Sequence, residues 1–521
     1  MILQARGYGW AVCAGLAGAG LLLLITRGLI GHAPHYDELL HVLAARGLLE
    51  SGQPVIDQGI YPLAELYSRS VAWSYRLFGD NLVAARAPAL AAGVALVFVM
   101  GAWVTRRAGL LGGLATAVLL CVVPTTVDVA VFARMYTFHA LIMVLMFIGL
   151  FEACEPGRSW AARLAMVAFS IALLPLGWHL QPTTIIAAGA GIAGVLALQL
   201  LDHWPRIQPI IRGRPVSTIG AVGLAGAVIL VILWLSGLLD RLNEVPLWAA
   251  GNADRPHFYL VALGRDLPLL WPLLPLAATM AVASPAQRRL ALYCVVVVAS
   301  ALVVHSIAAQ KALRYIYYFL PLVCVLWACA LAAVTALDGR PAQGMKGDGG
   351  ARLAPFVVMA LLAVGFAFSQ EGVRILNLAA GRLAAIDGLP FADEPDWTQI
   401  VPDLEPAVRV ADRVVASNSM KALYYLGRYD FELNATIVPE TVTGLEFGTD
   451  WRTGRQVIGR AESIARVLEQ PGDSLVVIET KKIGRFSGVT DEAFAVIESR
   501  CREMSLSAEV GVRAWTCAVA H

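Results

Sequence analysis

Two carboxylates, Asp37 and Glu38, stand side by side in the stretch His32 to Gly52 (HAPHYDELLHVLAARGLLESG), directly after a long apolar run. An acid at such an edge is the group needed to take a proton from a poor nucleophile such as a hydroxyl. His35 and His41 flank the pair, and together these side chains could hold a divalent ion. On a helix Asp37 and His41 fall at i and i+4, on one face. A second set carries the opposite charge. Lys311, Arg314, Tyr315 and Tyr318 lie in QKALRYIYYFLP, Arg134 and Tyr136 in VDVAVFARMY, and His179 with Gln181 in GWHLQP. Read as a helix, Lys311, Arg314, Tyr315 and Tyr318 form one face, with two cations at the water edge and phenols beneath. That face suits a phosphate attached to a lipid: the charge pairs with Lys and Arg while the tail lies between spans. The plainer alternatives are interfacial anchoring by Tyr and basic residues and, for the acids, a solvated helix cap.

The elements that must position these groups are membrane spans. The chain is 58% hydrophobic and 15% charged, with a mean hydropathy of +0.67. Soluble globular domains sit near about 45–50% apolar and about 25% charged, so this is a polytopic membrane protein. A net charge of +2 gives no reason to expect a nucleic-acid partner. Tyr8 to Ile30 is long enough to cross a bilayer and reads as an uncleaved first span. Further spans are expected at 83–104, 109–127, 135–153, 162–180, 183–201, 217–238, 267–283, 290–308, 315–337 and 353–369, about eleven in all. Between the first two, His32 to Gly52 and Tyr61 to Phe78 read as amphipathic helices lying at the membrane surface.

Arginines and lysines fall in alternate loops: Arg106 and Arg107; Arg158 and Arg163; Arg206, Arg212 and Arg214; Arg288 and Arg289; Arg340, Lys346 and Arg352. Positive-inside bias makes these loops and the short N-terminus cytoplasmic. The residues that could do chemistry then all face outward. Five of the 40 basic residues are lysine, and Lys311 alone precedes residue 345, so a compact ammonium is wanted there.

From Glu371 the long apolar runs stop. Arg413–Ser417 and Ser474–Glu479 read as buried strands, Glu462–Glu469 as an amphipathic helix and Arg513–Val519 as a final strand. The chain divides into a membrane domain, 1–370, and a small external α/β domain, 371–521, with a Gly-rich loop at Asp338–Gly350. Cys501 and Cys517 are the cysteines of the external part, where a disulfide persists.

The combination resembles a known family. A first span, an external helix with Asp-Glu, an LFGDN turn (77–81) and Arg86 before the second span are similar to glycosyltransferases of the membrane-embedded C fold. The protein O-mannosyltransferase and lipid A aminoarabinose transferase branch is the nearest in pattern. Ala133 to Ala140 (AR-x-Y-x-x-x-A) and Lys311 to Pro321 (K-x-x-RY-x-x-x-x-LP) match that branch in the same order. This chain has Ile60-Tyr61-Pro62 where the aminoarabinose branch carries an acidic-basic pair before the proline.

The resemblance implies an enzyme of the inner membrane that uses a polyprenyl-phosphate sugar on the outer, periplasmic face. A lipid, glycan or protein would be the acceptor, and Asp37 the base. The residues fit that chemistry: Lys311, Arg314 and Arg134 neutralise the leaving phosphate, and Asp37 deprotonates the acceptor on the opposite face, with inversion. Glu38 joins Asp37 as a catalytic acid, Tyr315 joins the phosphate site, and His35, His41, Tyr136 and His179 are left for acceptor or metal. A transporter or flippase of lipid-linked sugars, which would carry ionisable groups at mid-membrane, and a non-catalytic scaffold are the rival classes.

Overall fold

The computed structural model describes residues 2–213, 255–336, 364–382, 394–436, 447–485 and 488–518. The expected span at 217–238, most of that at 353–369 and the loop Asp338–Gly350 lie outside these residues. The chain forms two compact units, one of Met1–Leu29, Ala89–Val131 and Met135–Ile386, the other of Ile30–Pro88, Phe132–Arg134 and Asp387–His521. The surface segment between the first two spans therefore belongs to the same unit as the C-terminal domain.

The first unit is helical. Seven helices among the described residues are long and apolar enough to cross a membrane: Tyr8–Thr26, Leu82–Cys121, Tyr136–Ala153, Trp160–Leu180, Thr184–Pro209, Arg288–Ile307 and Leu313–Thr335. The second of these contains two expected spans. At 40 residues it would reach about 60 Å if straight, twice the hydrocarbon thickness. It is not straight, because Gly109 takes φ 78° and ψ 173°, outside the helical region. A Cβ placed on Gly113 would lie 2.6 Å from the Gly101 carbonyl, so the chain doubles back at Gly109 as a helical hairpin. The second arm ends at Val122, short of the expected residue 127, and Pro124–Ala130 follows as a separate short helix.

The expected span at 267–283 is corrected. Only Leu274–Ala283 is helical there, ten residues or about 15 Å, half a bilayer. Pro268, Pro272 and Pro275 remove three backbone donors from the run, which breaks it into turns ahead of the helix.

Arginines of several alternate loops meet at one end of this unit. Arg107 pairs with Glu152 and Glu155, Arg158 with Glu152, and Arg289 with Glu155 and Asp202. Arg163 adds a hydrogen bond to the Glu155 carbonyl at 3.1 Å. Loops grouped from charge alone thus lie together, as one membrane side requires.

The second unit begins with the helix Tyr36–Ser51, capped at His35 and Gly52, and the strands β1 (Val55–Ile56) and β2 (Gly59–Ile60), which form a hairpin. The helix Glu65–Phe78 follows, where the second surface helix is expected. Trp73, Leu77 and Phe78 stay exposed on it, as an amphipathic helix at a membrane surface requires.

Among the described residues the C-terminal part is a mixed seven-stranded sheet. Its strands are β3 (Arg413–Ala416), β4 (Phe431–Leu433), β5 (Gly448–Thr449), β6 (Gln456–Ile458), β7 (Ser474–Glu479), β8 (Arg502–Glu503) and β9 (Val512–Cys517), in the order β5-β6-β4-β3-β7-β9-β8. The four strands from β6 to β7 are parallel, β5 and β9 run antiparallel to them, and β8 pairs antiparallel with β9. All six residues of β7 are buried, as expected for a parallel strand covered on both faces. Val476 and Ile478 point to one apolar layer with the helices Ala461–Leu468 and Asp491–Arg500. Leu475 and Val477 point to the other, with Val401–Val410 and Ser419–Leu426.

Cys501 and Cys517 are disulfide-bonded. The register explains the pairing: Arg502 lies opposite Thr516, so the next antiparallel pair outward is Cys501 with Cys517. Reduction is expected to cost the domain roughly 3 kcal/mol, the loop-closure value for about 15 residues. Thermal unfolding with and without reductant measures this, and mass spectrometry finding two free thiols would reject the bond.

Candidate functional site

The acidic end of the site is built by a capping box. His35 is extended at φ −77° and ψ 151°, and its Nδ1 accepts from the Asp37 N–H at 3.1 Å. Glu38 reaches back so that its Oε2 accepts from the His35 N–H at 2.9 Å. This turns Glu38 inward. Its Oε1 accepts from Arg86 Nε and from the Ala133 N–H, both at 2.8 Å, and Oε2 also accepts from Arg86 Nη2 at 2.8 Å. Arg86 Nη1 spends its protons on the carbonyls of Ile30 at 2.8 Å and His32 at 2.9 Å. Glu38 and Arg86 side chains are both 0% exposed.

Four hydrogen bonds occupy the four lone-pair positions of the Glu38 carboxylate. Burial pushes its pKa up, but the Arg86 charge and hydrogen bonds, with the Ala133 and His35 N–H groups, hold it below the ordinary carboxyl value. Glu38 is thus a fixed anion with no lone pair left for a substrate. The reading of Glu38 as a reacting acid is corrected: Glu38 holds the helix start, and Asp37 lies half-buried beside it.

Arg134 serves the same corner. Its Nη1 donates to the Asp37 carbonyl at 3.1 Å and lies 3.3 Å from the Tyr61 hydroxyl, both in the second unit. Expected as a phosphate ligand, it here orients the backbone of the acid. His41, one turn on from Asp37, is fully buried, its Nδ1 2.8 Å from Ser68 Oγ. Its ring meets the edges of Tyr61 and Tyr67 at 5.4 and 5.0 Å. Burial, then the Arg134 charge, push its pKa well below 6.5 against a smaller opposing pull from Asp37. His41 is neutral at physiological pH and is a packed core histidine.

His35 has its Nδ1 committed to the cap, and its Nε2 lies 3.9 Å from Glu394. Among the described residues no three His, Cys, Asp or Glu side chains are grouped to share a metal ion. Glu38 is saturated by its four hydrogen bonds, and His41 is buried against tyrosines.

Tyr36 ties this corner to the sheet. Its ring lies 5.5 Å from the Arg452 guanidinium and 6.0 Å from Lys482 Nζ. Burial, reinforced by Glu432, pushes the phenol pKa well above 10.0. Sequence reasoning missed Tyr36, Tyr61 and Arg452. Tyr36 is signalled by its place beside Asp37 and Tyr61 by Ile60-Tyr61-Pro62, whereas Arg452 has no such signal.

The cationic set lies in the first unit. Lys311 is 5% exposed and its Nζ donates to the Ala308 carbonyl at 2.6 Å. Arg314 lies over two rings, 5.8 Å from Tyr136 and 5.8 Å from Tyr315, so these three residues do come together. The single helical face expected for Lys311 to Tyr318 is corrected. Ala312 is extended, Leu313–Tyr315 and Tyr317–Phe319 are 3₁₀ turns, and the α-helix starts at Leu320. Pro321 causes this, because its nitrogen cannot donate to the Tyr317 carbonyl one turn back. Tyr318 consequently turns into the core, its hydroxyl 3.1 Å from His305 Nε2. His179 lies exposed in the last turn of Trp160–Leu180.

No protein-family model matches the chain, and no curated protein does. Solved structures do. ArnT from Cupriavidus metallidurans bound to undecaprenyl phosphate aligns with a TM-score of 0.58 at 16% identity, over 98% of each chain. The same protein in its apo state aligns with a TM-score of 0.58 at 14% identity, again over 98% of each chain. From end to end, the chain has the fold of ArnT, the membrane architecture that its resemblance to C-fold glycosyltransferases led us to expect.

Proposed function

We propose that this protein is a glycosyltransferase that moves a sugar from a polyprenyl-phosphate donor to a hydroxyl-bearing acceptor on the outer face of the inner membrane. The observation that carries the reading is the division of labour at the helix start. Glu38 is locked to Arg86 while Asp37, its neighbour, stands half-buried on a fixed backbone. The alignment with ArnT in complex with undecaprenyl phosphate supports a lipid phosphate as the donor. A lipid, glycan or protein remains the acceptor class.

In this reaction the acceptor oxygen attacks the anomeric carbon as its proton passes to Asp37. The bond from that carbon to the phosphate oxygen breaks on the opposite face, releasing the polyprenyl phosphate and inverting the centre. Lys311 and Arg314 stabilise the departing anion, so no general acid is needed at that oxygen. Lys311 offers a compact charge to one oxygen, and Arg314, held between Tyr136 and Tyr315, can grip two.

Lys311→Ala and Arg314→Ala are each expected to weaken donor use by about ten- to a hundredfold, or roughly 1.5–3 kcal/mol for a charge-assisted contact. Binding of a polyprenyl phosphate to the purified variants measures it. Wild-type affinity in both would place the phosphate site elsewhere. Comparison of envelope glycans between wild type and a deletion strain identifies the product.

A further inference from the structure

Between β5 and β6 the chain makes a tight turn, Asp450 to Arg455, in which one side chain differs from all the others. Asp450 is fully buried and accepts from the Arg452 N–H at 3.0 Å and from Arg452 Nη2 at 2.7 Å. Thr453 is fully buried, its hydroxyl accepting from Tyr429 Oη at 2.6 Å, and its carbonyl accepts from the Gln58 N–H at 3.0 Å. Gly454 sits at φ +72° with Gln58 so close that a Cβ would come within 2.8 Å of it. Arg455 is paired with Asp57. Trp451, in the middle of this fixed turn, is 53% exposed.

The indole is aimed, not loose. It stacks parallel on Tyr61, with 13° between the planes and 6.1 Å between centroids. Tyr61 in turn is buried and lies against Arg134, which holds the Asp37 carbonyl. The next residue, Arg452, lies over Tyr36. The turn therefore grips the residue before the acid and, through Tyr61, the arginine that orients it.

A large aromatic side chain held rigid and open to water is the arrangement that binding surfaces use, because little entropy is left to lose. Its surroundings select the ligand. The turn that carries this flat apolar face also carries Arg452, paired with Asp450, and Arg455, paired with Asp57. An acyl chain would strip water from these ions without replacing it, and a bare phosphate would make no use of the indole. A pyranose ring matches both parts, with C–H groups on its face and hydroxyls around its rim.

We propose that Trp451 is the stacking platform for a saccharide ring of the acceptor, so that the acceptor class is a carbohydrate. This rests on the glycosyltransferase reading. Trp451 takes no part in bond making; it binds.

The test uses the full chain in lipid nanodiscs, with methyl β-D-glucopyranoside as the probe and saturation-transfer NMR as the readout. Wild type and Trp451→Phe are expected to transfer magnetisation to the ring protons. Trp451→Leu, apolar but without a π face, is expected to lose roughly three- to tenfold. Equal transfer from wild type and Trp451→Leu, or none from wild type, overturns the proposal. If Trp451 instead anchors the chain in the interface alongside the exposed Ile60 and Leu63, leucine serves as well as tryptophan, and that outcome also overturns it. Binding of polyprenyl phosphate to the same wild-type preparation separates the two readings. No donor binding counts against the glycosyltransferase reading, whereas donor binding without a Trp451-dependent sugar signal counts against the platform alone.

Discussion

Arg86→Met is expected to destabilise the protein by about 3–5 kcal/mol, the cost of leaving one member of a buried ion pair without its partner. The stranded group is Glu38, fully buried with no water to replace the guanidinium. The carbonyls of Ile30 and His32 lose their donor in the same step. Glu38→Gln should cost less, because an amide still accepts from the Ala133 or His35 N–H and leaves no net negative charge. Thermal unfolding in detergent compares the two, and an Arg86→Met midpoint equal to wild type would show that the pair does not hold the helix start.

Acid gives a second readout of the same pair. The Glu38 pKa is depressed in the folded protein below its ordinary value of 4.5. Its stabilising contribution is therefore complete above that ordinary value and is lost as the pH falls through the folded one. Wild type should lose stability in that acid window. Glu38→Gln, with nothing to titrate, should lose less there.

The sequence made the Asp-Glu pair visible but not the difference between its members. That difference is a contact with Arg86, 48 residues away, and no local spacing encodes it. The spans were legible because burial in lipid needs composition and little else. Where the helices were misread, proline was the cause. Pro268, Pro272 and Pro275 break an apolar run of adequate length, and Pro321 delays the helix that would have put Lys311, Arg314 and Tyr318 on one face. Both follow from the missing backbone donor, so the residues carried the signal although hydropathy and helical spacing did not.

The strands β3, β7 and β9 were legible, since a run such as SLVVIE can be little other than a strand buried on both faces, whereas β4, β5, β6 and β8 are too short to show a pattern. The turn at Trp451 was not legible either. Its importance comes from Gln58 and Tyr61, nearly 400 residues earlier in the chain, and a lone tryptophan between an aspartate and an arginine has no periodicity to betray it.

Asp37→Asn is the substitution with the largest expected effect on turnover, a loss of about 10²–10⁴-fold, the range contributed by a positioned general base. The geometry makes this a clean experiment. Asparagine matches aspartate in shape, and the backbone here is held independently of the side-chain charge: the N–H donates to His35 Nδ1 and the carbonyl accepts from Arg134. The helix start should therefore persist, and with it the Glu38–Arg86 pair. Glu38 cannot stand in, because its four lone-pair positions are taken. His41 cannot either, since it is buried and its affinity for a proton is reduced. Donor binding, assigned to Lys311 and Arg314, should stay near wild type, so single-turnover release of polyprenyl phosphate from pre-bound donor isolates the chemical step. Release at the wild-type rate would mean that another group takes the proton. Release abolished together with donor binding would mean that Asp37 shapes the donor site and is not its base.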